Sequence, residues 1–166
     1  IQQHYKNFSS MSWVYSCGAG ANYGTALESA LKMGETIHIP SCCYEIEEYI
    51  HGPNLQLTPQ YNVIFFDGND GASRRVEQVY KATRKVTNRA YLISNNPQLS
   101  RDGHVLSLSD TVSSELSPLV YLPFVQLLSF IVSNDLHSIY QHPLLKEFKA
   151  IAAAKTENFV NYDGDD

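Results

Sequence analysis

Cysteine is scarce in this chain and poorly placed for pairing. Among 166 residues there are three, Cys17, Cys42 and Cys43. Adjacent cysteines pair badly with each other, and an odd count argues against a disulfide framework; reduced thiols and a cytoplasmic setting are expected. There is no C-x-x-C, which removes the usual structural zinc site. Positive charge is also short. The formal net charge is -5, and no basic stripe is available to neutralise phosphates, so a nucleic-acid surface is excluded. Arg74, Arg75, Lys81, Arg84, Lys85 and Arg89 do gather, but at roughly helical spacing, which reads as a solvated helix face rather than an anion site. No apolar run is long and unbroken: the longest, 116–132, contains Pro118, Pro123 and Gln126, and suits a buried helix better than a membrane span. Internal repeats and low-complexity linkers are missing too. The chain opens on Ile1 rather than Met, without a signal peptide, and is expected to be an excised domain or part of a longer polypeptide.

What is present fits one compact α/β domain. Hydrophobic residues make up 43% and charged residues 17%, ordinary globular values for a chain long enough to bury a core. Residues 13–17 form an apolar run ending in glycine, read as a buried strand. Asn22 is placed to cap a helix running to about Lys32 or Gly34, with Ala26, Leu27, Ala30 and Leu31 facing inward. Residues 36–40 alternate briefly and predict a second strand; 44–50 predict a short acidic helix stopped by Gly52 and Pro53. Residues 61–66 are the clearest strand, followed by helical spacing over 73–86. Strands are predicted again at 90–94 and 104–108, and helices at 117–134 and 144–154. Strands alternating with helices imply a parallel sheet with helices on both faces.

Two features carry chemistry. The turn C-G-A-G-A-N-Y-G at 17–24 joins the first strand to its helix, the place where α/β domains present polar groups to small molecules. It fails as a dinucleotide fingerprint: the third glycine, Gly24, comes one place late, and no carboxylate stands near the end of the next predicted strand. The second feature is Glu28, Lys32 and Glu35 at i, i+4 and i+7, on one face of the predicted helix. As a surface ladder these would contribute only a few tenths of a kcal/mol per pair. Beside Ala26, Leu27, Ala30 and Leu31 the helix is expected to be largely buried. A carboxylate shielded from water then has its pKa raised toward a range useful for proton transfer. His51, sixteen residues after Glu35 and held in a forced turn by Gly52-Pro53, can act as a general acid or base if a carboxylate meets it. His38 reads as a packing residue within a strand. No pair of histidines has metal-ligand spacing, so no metal is expected.

The segment G-A-G-A-N-Y-G-T-A-L-E-S-A-L-K-M-G-E at 18–35 resembles the G-x-G-x-x-Y-x-x-A-L-E-x-A-L-K-x-x-E stretch of the sugar isomerase (SIS) family. The run Y-E-I-E-E-Y-I-H-G-P at 44–53 is similar to the segment that follows in that family, and A-K-T-E at 154–157 more loosely to its C-terminal lysine segment. The nearest branch is the second SIS domain of glucosamine-6-phosphate synthase isomerase halves and of fructosamine-phosphate deglycases and deaminases. The resemblance implies a three-layer αβα sandwich around a five-stranded parallel sheet of flavodoxin type. It implies proton transfer between C1 and C2 of an (amino)sugar 6-phosphate, with fructose 6-phosphate, glucosamine 6-phosphate or fructosamine 6-phosphate as substrate class. By that likeness Glu35 is the base and His51 assists ring opening, often in a neighbouring subunit's site. Lys155 meets the open-chain sugar, Glu28 and Lys32 support the site, and Gly18, Gly20 and Asn22 line it. No cofactor or metal is required, and a homodimer or larger homo-oligomer, away from membranes, is implied. The family's S-x-S-G-x-T phosphate loop is missing; residues 107–111 are its nearest match and lack the glycine. The chain is therefore expected to be the C-terminal half of a two-SIS-domain enzyme whose first domain it lacks. The alternative is a non-catalytic, phosphosugar-binding regulatory module.

Overall fold

A computed structural model describes residues 1–99, 102–107, 112–138 and 151. Five strands, β1 (Val14–Gly18), β2 (Ser41–Glu45), β3 (Asn62–Asp67), β4 (Ala90–Ser94) and β5 (Val105–Ser107), form one sheet in the order β2-β1-β3-β4-β5. Every pairing is parallel. The central strands are buried on both faces, which is why β1, β3 and β4 read as continuous apolar runs. Alternate β3 side chains divide the core. Ile64 and Phe66 pack with α2 (Asn22–Ile37) and α5 (Ser117–Leu136); Val63 and Phe65 pack with α3 (Ile46–Ile50) and α4 (Ser73–Thr83). This is the expected three-layer αβα sandwich.

The edge strand departs from the sequence reading. Residues 36 and 37 belong to α2, not to a strand. Ile37 is buried in line with Ala26, Ala30 and Met33, so the helical face simply continues. His38 then ends α2 in the left-handed region, φ 63°, and is a helix cap rather than a strand residue. The pairing strand lies later, at Ser41–Glu45, where Glu45 also caps α3 by accepting from the Glu47 N–H at 2.7 Å. The acidic helix predicted for 44–50 is thus a strand end followed by one short helix.

Two expectations about α2 are also corrected. Asn22 is not its N-cap: Ala21 holds that position, and the Asn22 side chain turns away to α5. Leu27 and Leu31 do not face inward but are 50% and 56% exposed. The apolar stripe that the helix buries runs instead through Ala26, Ala30, Met33 and Ile37. The helix predicted at 144–154 falls, apart from Ile151, outside the described residues. α5 is long and apolar enough to cross a bilayer by composition alone. Its Tyr121, Val125, Leu128 and Val132 are nevertheless fully buried in the core.

The N-terminal segment, including α1 (Tyr5–Ser9), is tied to the far edge of the sheet. His4 Nε2 donates to the Gly103 carbonyl at 2.6 Å, and its ring lies 4.5 Å from His104 and 5.2 Å from Tyr91. Burial first, then the Arg84 guanidinium and His4, hold His104 below the ordinary histidine range. A histidine with a depressed folded pKa favours the native state above its unfolded pKa, about 6.5, and that contribution fades as pH falls through the folded value. The melting temperature is therefore expected to fall on acidification below about pH 6.5, and His104→Gln should flatten that part of the profile. An equally steep fall in the variant would remove His104 as the cause.

Candidate functional site

In a sheet of this order the chain reverses direction between β1 and β3, and ligands of open α/β sheets bind in the crevice outside the strand ends there. The β1–α2 turn is shaped by its glycines. A Cβ on Gly18 would stand 2.3 Å from the Asn22 carbonyl oxygen, and Gly20 sits at φ 54°. Gly18→Ala must push the start of α2 off the sheet, with an expected loss of about 1–3 kcal/mol readable as a lower denaturation midpoint; an unchanged midpoint would contradict this packing. Asn22 is 1% exposed, and both ends of its amide are engaged. Nδ2 donates to Ser117 Oγ at 2.7 Å, and Oδ1 accepts from Thr25 Oγ1 at 3.0 Å.

Carboxylates occupy the crevice. Asp67, at the end of β3, is fully buried; its Oδ1 accepts from Ser73 Oγ and the Asn69 N–H, and its Oδ2 from Ser94 Oγ at 2.7 Å. Asp70 Oδ1 accepts from the Ala72 N–H at 2.8 Å. Its Oδ2 stands where side chains on Gly68 or Gly20 would point, 3.1 and 3.5 Å from their ideal Cβ positions. Of the donors at the start of α4, which elsewhere cradle phosphate, the Ala72 N–H is taken by the Asp70 carboxylate and the Ser73 N–H by the Asp70 backbone carbonyl. A dianion arriving here meets two like charges and few free N–H groups. Sequence reasoning passed over this cluster, although D-G-N-D-G after the clearest strand was its visible signal.

The charged ladder is real and lies elsewhere. Lys32 Nζ stands 3.4 Å from Glu28 Oε1 and bonds directly to Glu35 Oε1. The hydrogen bond that Lys32 donates to Glu35, more than the one to Glu28, raises its pKa above the ordinary lysine value, so the ammonium stays charged. The side chains of Glu28 and Glu35 are 33% and 45% exposed; the burial expected around them is not supplied by the described residues. Leu31 lies about 60° around the helix from Glu28 at 3.6 residues per turn. α2 thus shows one open strip in which two leucines run along one side of two carboxylates and an ammonium. Glu35 is thirteen residues beyond Asn22, about 20 Å at 1.5 Å per residue. The glycine turn and the Glu35 end of the ladder therefore belong to different ends of the domain.

His51 follows α3, exposed, with its N–H bonded to the Glu48 carbonyl at 3.1 Å. It sits on a different element from the ladder, and none of its described contacts reaches Glu28, Lys32 or Glu35. Lys155 lies outside the described residues. Among the described residues no group of three or more His, Cys, Asp or Glu side chains is arranged to hold a metal ion.

Comparison with known proteins gives a consistent neighbourhood. A profile of the SIS domain matches residues 8–118. The glutamine–fructose-6-phosphate aminotransferase (isomerizing) of Methanothermobacter thermautotrophicus is 30% identical over 131 residues, 76% of this chain and 22% of that protein. Among solved structures, the C-terminal domain of glucosamine-fructose-6-phosphate aminotransferase from Francisella tularensis superposes with a TM-score of 0.71 at 24% identity, over 80% of this chain and 38% of that one. Tagatose-6-phosphate ketose/aldose isomerase from Escherichia coli does so with 0.69 at 17% identity, over 78% and 38%. The chain spans about a fifth of the length of the curated relatives it matches.

Proposed function

We propose, from the premise that this chain belongs to the SIS domain family, that it is the C-terminal half of a two-domain phosphosugar isomerase, deaminase or deglycase. The observation that carries this reading is the open α2 strip, where Lys32 pairs with both Glu28 and Glu35 beside exposed Leu27 and Leu31. Moving a proton between C1 and C2 needs a positioned base and a donor for the oxyanion that develops. Glu35 is the base. Lys32 orients it, with Glu28 bracing the ammonium from the previous turn. Lys155 serves the reacting end of the open-chain sugar. His51, remote from the ladder within one chain, assists ring opening in a neighbouring subunit's site. Gly18, Gly20 and Asn22 take part through the backbone, by setting where α2 starts.

A second SIS domain, bearing a serine- and threonine-rich phosphate loop, covers the strip. It removes water from the ladder, buries Leu27 and Leu31, and supplies the phosphate grip that Asp67 and Asp70 deny to this sheet. The setting is cytoplasmic and the assembly at least a homodimer. The filled crevice also favours a second reading, a regulatory module that senses a phosphosugar without turning it over.

Calorimetric titration with fructose 6-phosphate, glucosamine 6-phosphate and a fructosamine 6-phosphate separates these. This chain alone is expected to give no saturable heat that Glu35→Gln removes, and the chain assembled with a first SIS domain is expected to bind one of the three. Tight binding by the isolated chain that Glu35→Gln abolishes would overturn the two-domain site. Binding by the assembly without hydrogen exchange at C2 would select the sensor.

A further inference from the structure

We propose that the amino edge of the sheet carries an anion site that takes a phosphoryl group, separate from the α2 strip and independent of the function assigned to it. The six clustered cations of the sequence do not stay together. Arg75 pairs with Glu47, and Lys81 with Glu77, along α4. Arg84, Lys85 and Arg89 instead gather with Thr87, Asn88 and Asn7 around a groove of about 350 Å³, before the start of β4. Among the described residues no carboxylate lines that groove.

Arg89 is held by neutral groups. Arg89 Nη1 donates to the carbonyls of Asn7 and Ser10 at 3.3 and 3.2 Å, to Ser10 Oγ at 3.1 Å and to Asn62 Oδ1 at 3.4 Å. These contacts fix the guanidinium without cancelling its charge. Thr87 Oγ1 donates to the Pro59 and Tyr61 carbonyls, both at 3.0 Å, and accepts from the Arg89 N–H, so the 84–89 connection is preorganised. Arg84 is the decisive residue: its Nη1 is buried with no hydrogen-bond partner among the described residues. Asp102, whose carboxyl is influenced by Arg84, already accepts from Tyr80 Oη and the His104 N–H, and it does not line the groove.

Cations at a helix C-terminus are ordinarily explained by the helix dipole. That accounts for Arg84 and Lys85 at the end of α4. It leaves Arg89 outside the account and the buried Arg84 nitrogen without an acceptor, which native structures avoid. A tetrahedral oxyanion satisfies both, because a guanidinium offers parallel donors to two of its oxygens. Inorganic phosphate and a phosphate ester share this chemistry.

The test is a ¹⁵N-edited NMR titration of the full chain at low ionic strength, first with inorganic phosphate and then with fructose 6-phosphate. Saturable shifts are expected at the amides of Lys85, Thr87 and Asn88, with affinity lowered about tenfold by Arg84→Gln, the loss of one charged hydrogen bond. Lys85→Gln changes an exposed side chain, and should weaken binding several-fold at an unchanged melting temperature. It keeps the test decisive if the Arg84 variant fails to fold. Equal affinity for both ligands identifies the phosphoryl group alone as what is recognised; tighter binding of the ester identifies a sugar phosphate. Shifts that stay linear in ligand, or are identical in both variants, overturn the site. Glu35→Gln should leave the titration untouched, so failure of the α2 reading and failure of this one are separable.

Discussion

Glu35→Gln is expected to lower hydrogen exchange at C2 of the bound phosphosugar by about 10²–10⁴-fold in the assembled enzyme, the usual contribution of a positioned general base. The substitution keeps the shape and removes only the basic oxygen. It also removes one of the two carboxylates that hold Lys32, whose raised pKa owes most to Glu35. The stability cost should stay below about 1 kcal/mol, because the pair is a partly exposed i,i+3 contact. Exchange followed by proton NMR in deuterated buffer, together with a denaturation midpoint, reads both quantities. Glu28→Gln provides the comparison. It breaks the longer contact, at 3.4 Å, and should reduce exchange far less. A Glu35 variant that exchanges normally but melts early would make the ladder a structural salt bridge, and the base would have to be sought elsewhere.

The legible parts of this chain were those whose signal is local. β1, β3 and β4 lie mid-sheet, and their double burial is written as uninterrupted apolar runs. β2 was misplaced because an edge strand of sequence Ser-Cys-Cys-Tyr-Glu is half exposed and carries no such run. The brief Thr-Ile-His-Ile alternation nearby won instead, although Ile37 continued the helical stripe. For the site, i, i+4, i+7 spacing alone was enough to bring Glu28, Lys32 and Glu35 together. Their exposure was not legible, since Leu27 and Leu31 look like core residues until the packing of Ala26, Ala30 and Met33 is known. The crevice network escaped entirely: Ser73 and Ser94 meet Asp67 from 6 and 27 residues away, and no local pattern announces that meeting.

That network sets the largest expected effect on stability. Asp67 gathers Ser73 Oγ, Ser94 Oγ and the Asn69 N–H; those hydroxyls in turn accept from the Asp70 and Asn96 N–H groups at 2.7 and 3.0 Å. Its backbone carbonyl accepts from Tyr121 Oη at 2.7 Å, so α5 is fastened to the same point. One carboxylate therefore orders the β3–α4 loop and the end of β4. Asp67→Ala removes the acceptor and leaves buried donors behind, each costing about 1–3 kcal/mol when unsatisfied. A loss of about 3 kcal/mol is expected, against a total of about 5–15 kcal/mol for a domain. Asp67→Asn, which keeps one oxygen but turns an amide donor toward a hydroxyl, should fall between wild type and Ala. Urea denaturation followed by tryptophan fluorescence measures all three, with Trp13 as the only indole. If Asp67→Ala unfolded at the wild-type midpoint, the carboxylate would not be a scaffold group. The crevice at the β1–β3 switch would then return as the place where this chain meets its ligand, and the α2 strip would lose its claim to be the reacting surface.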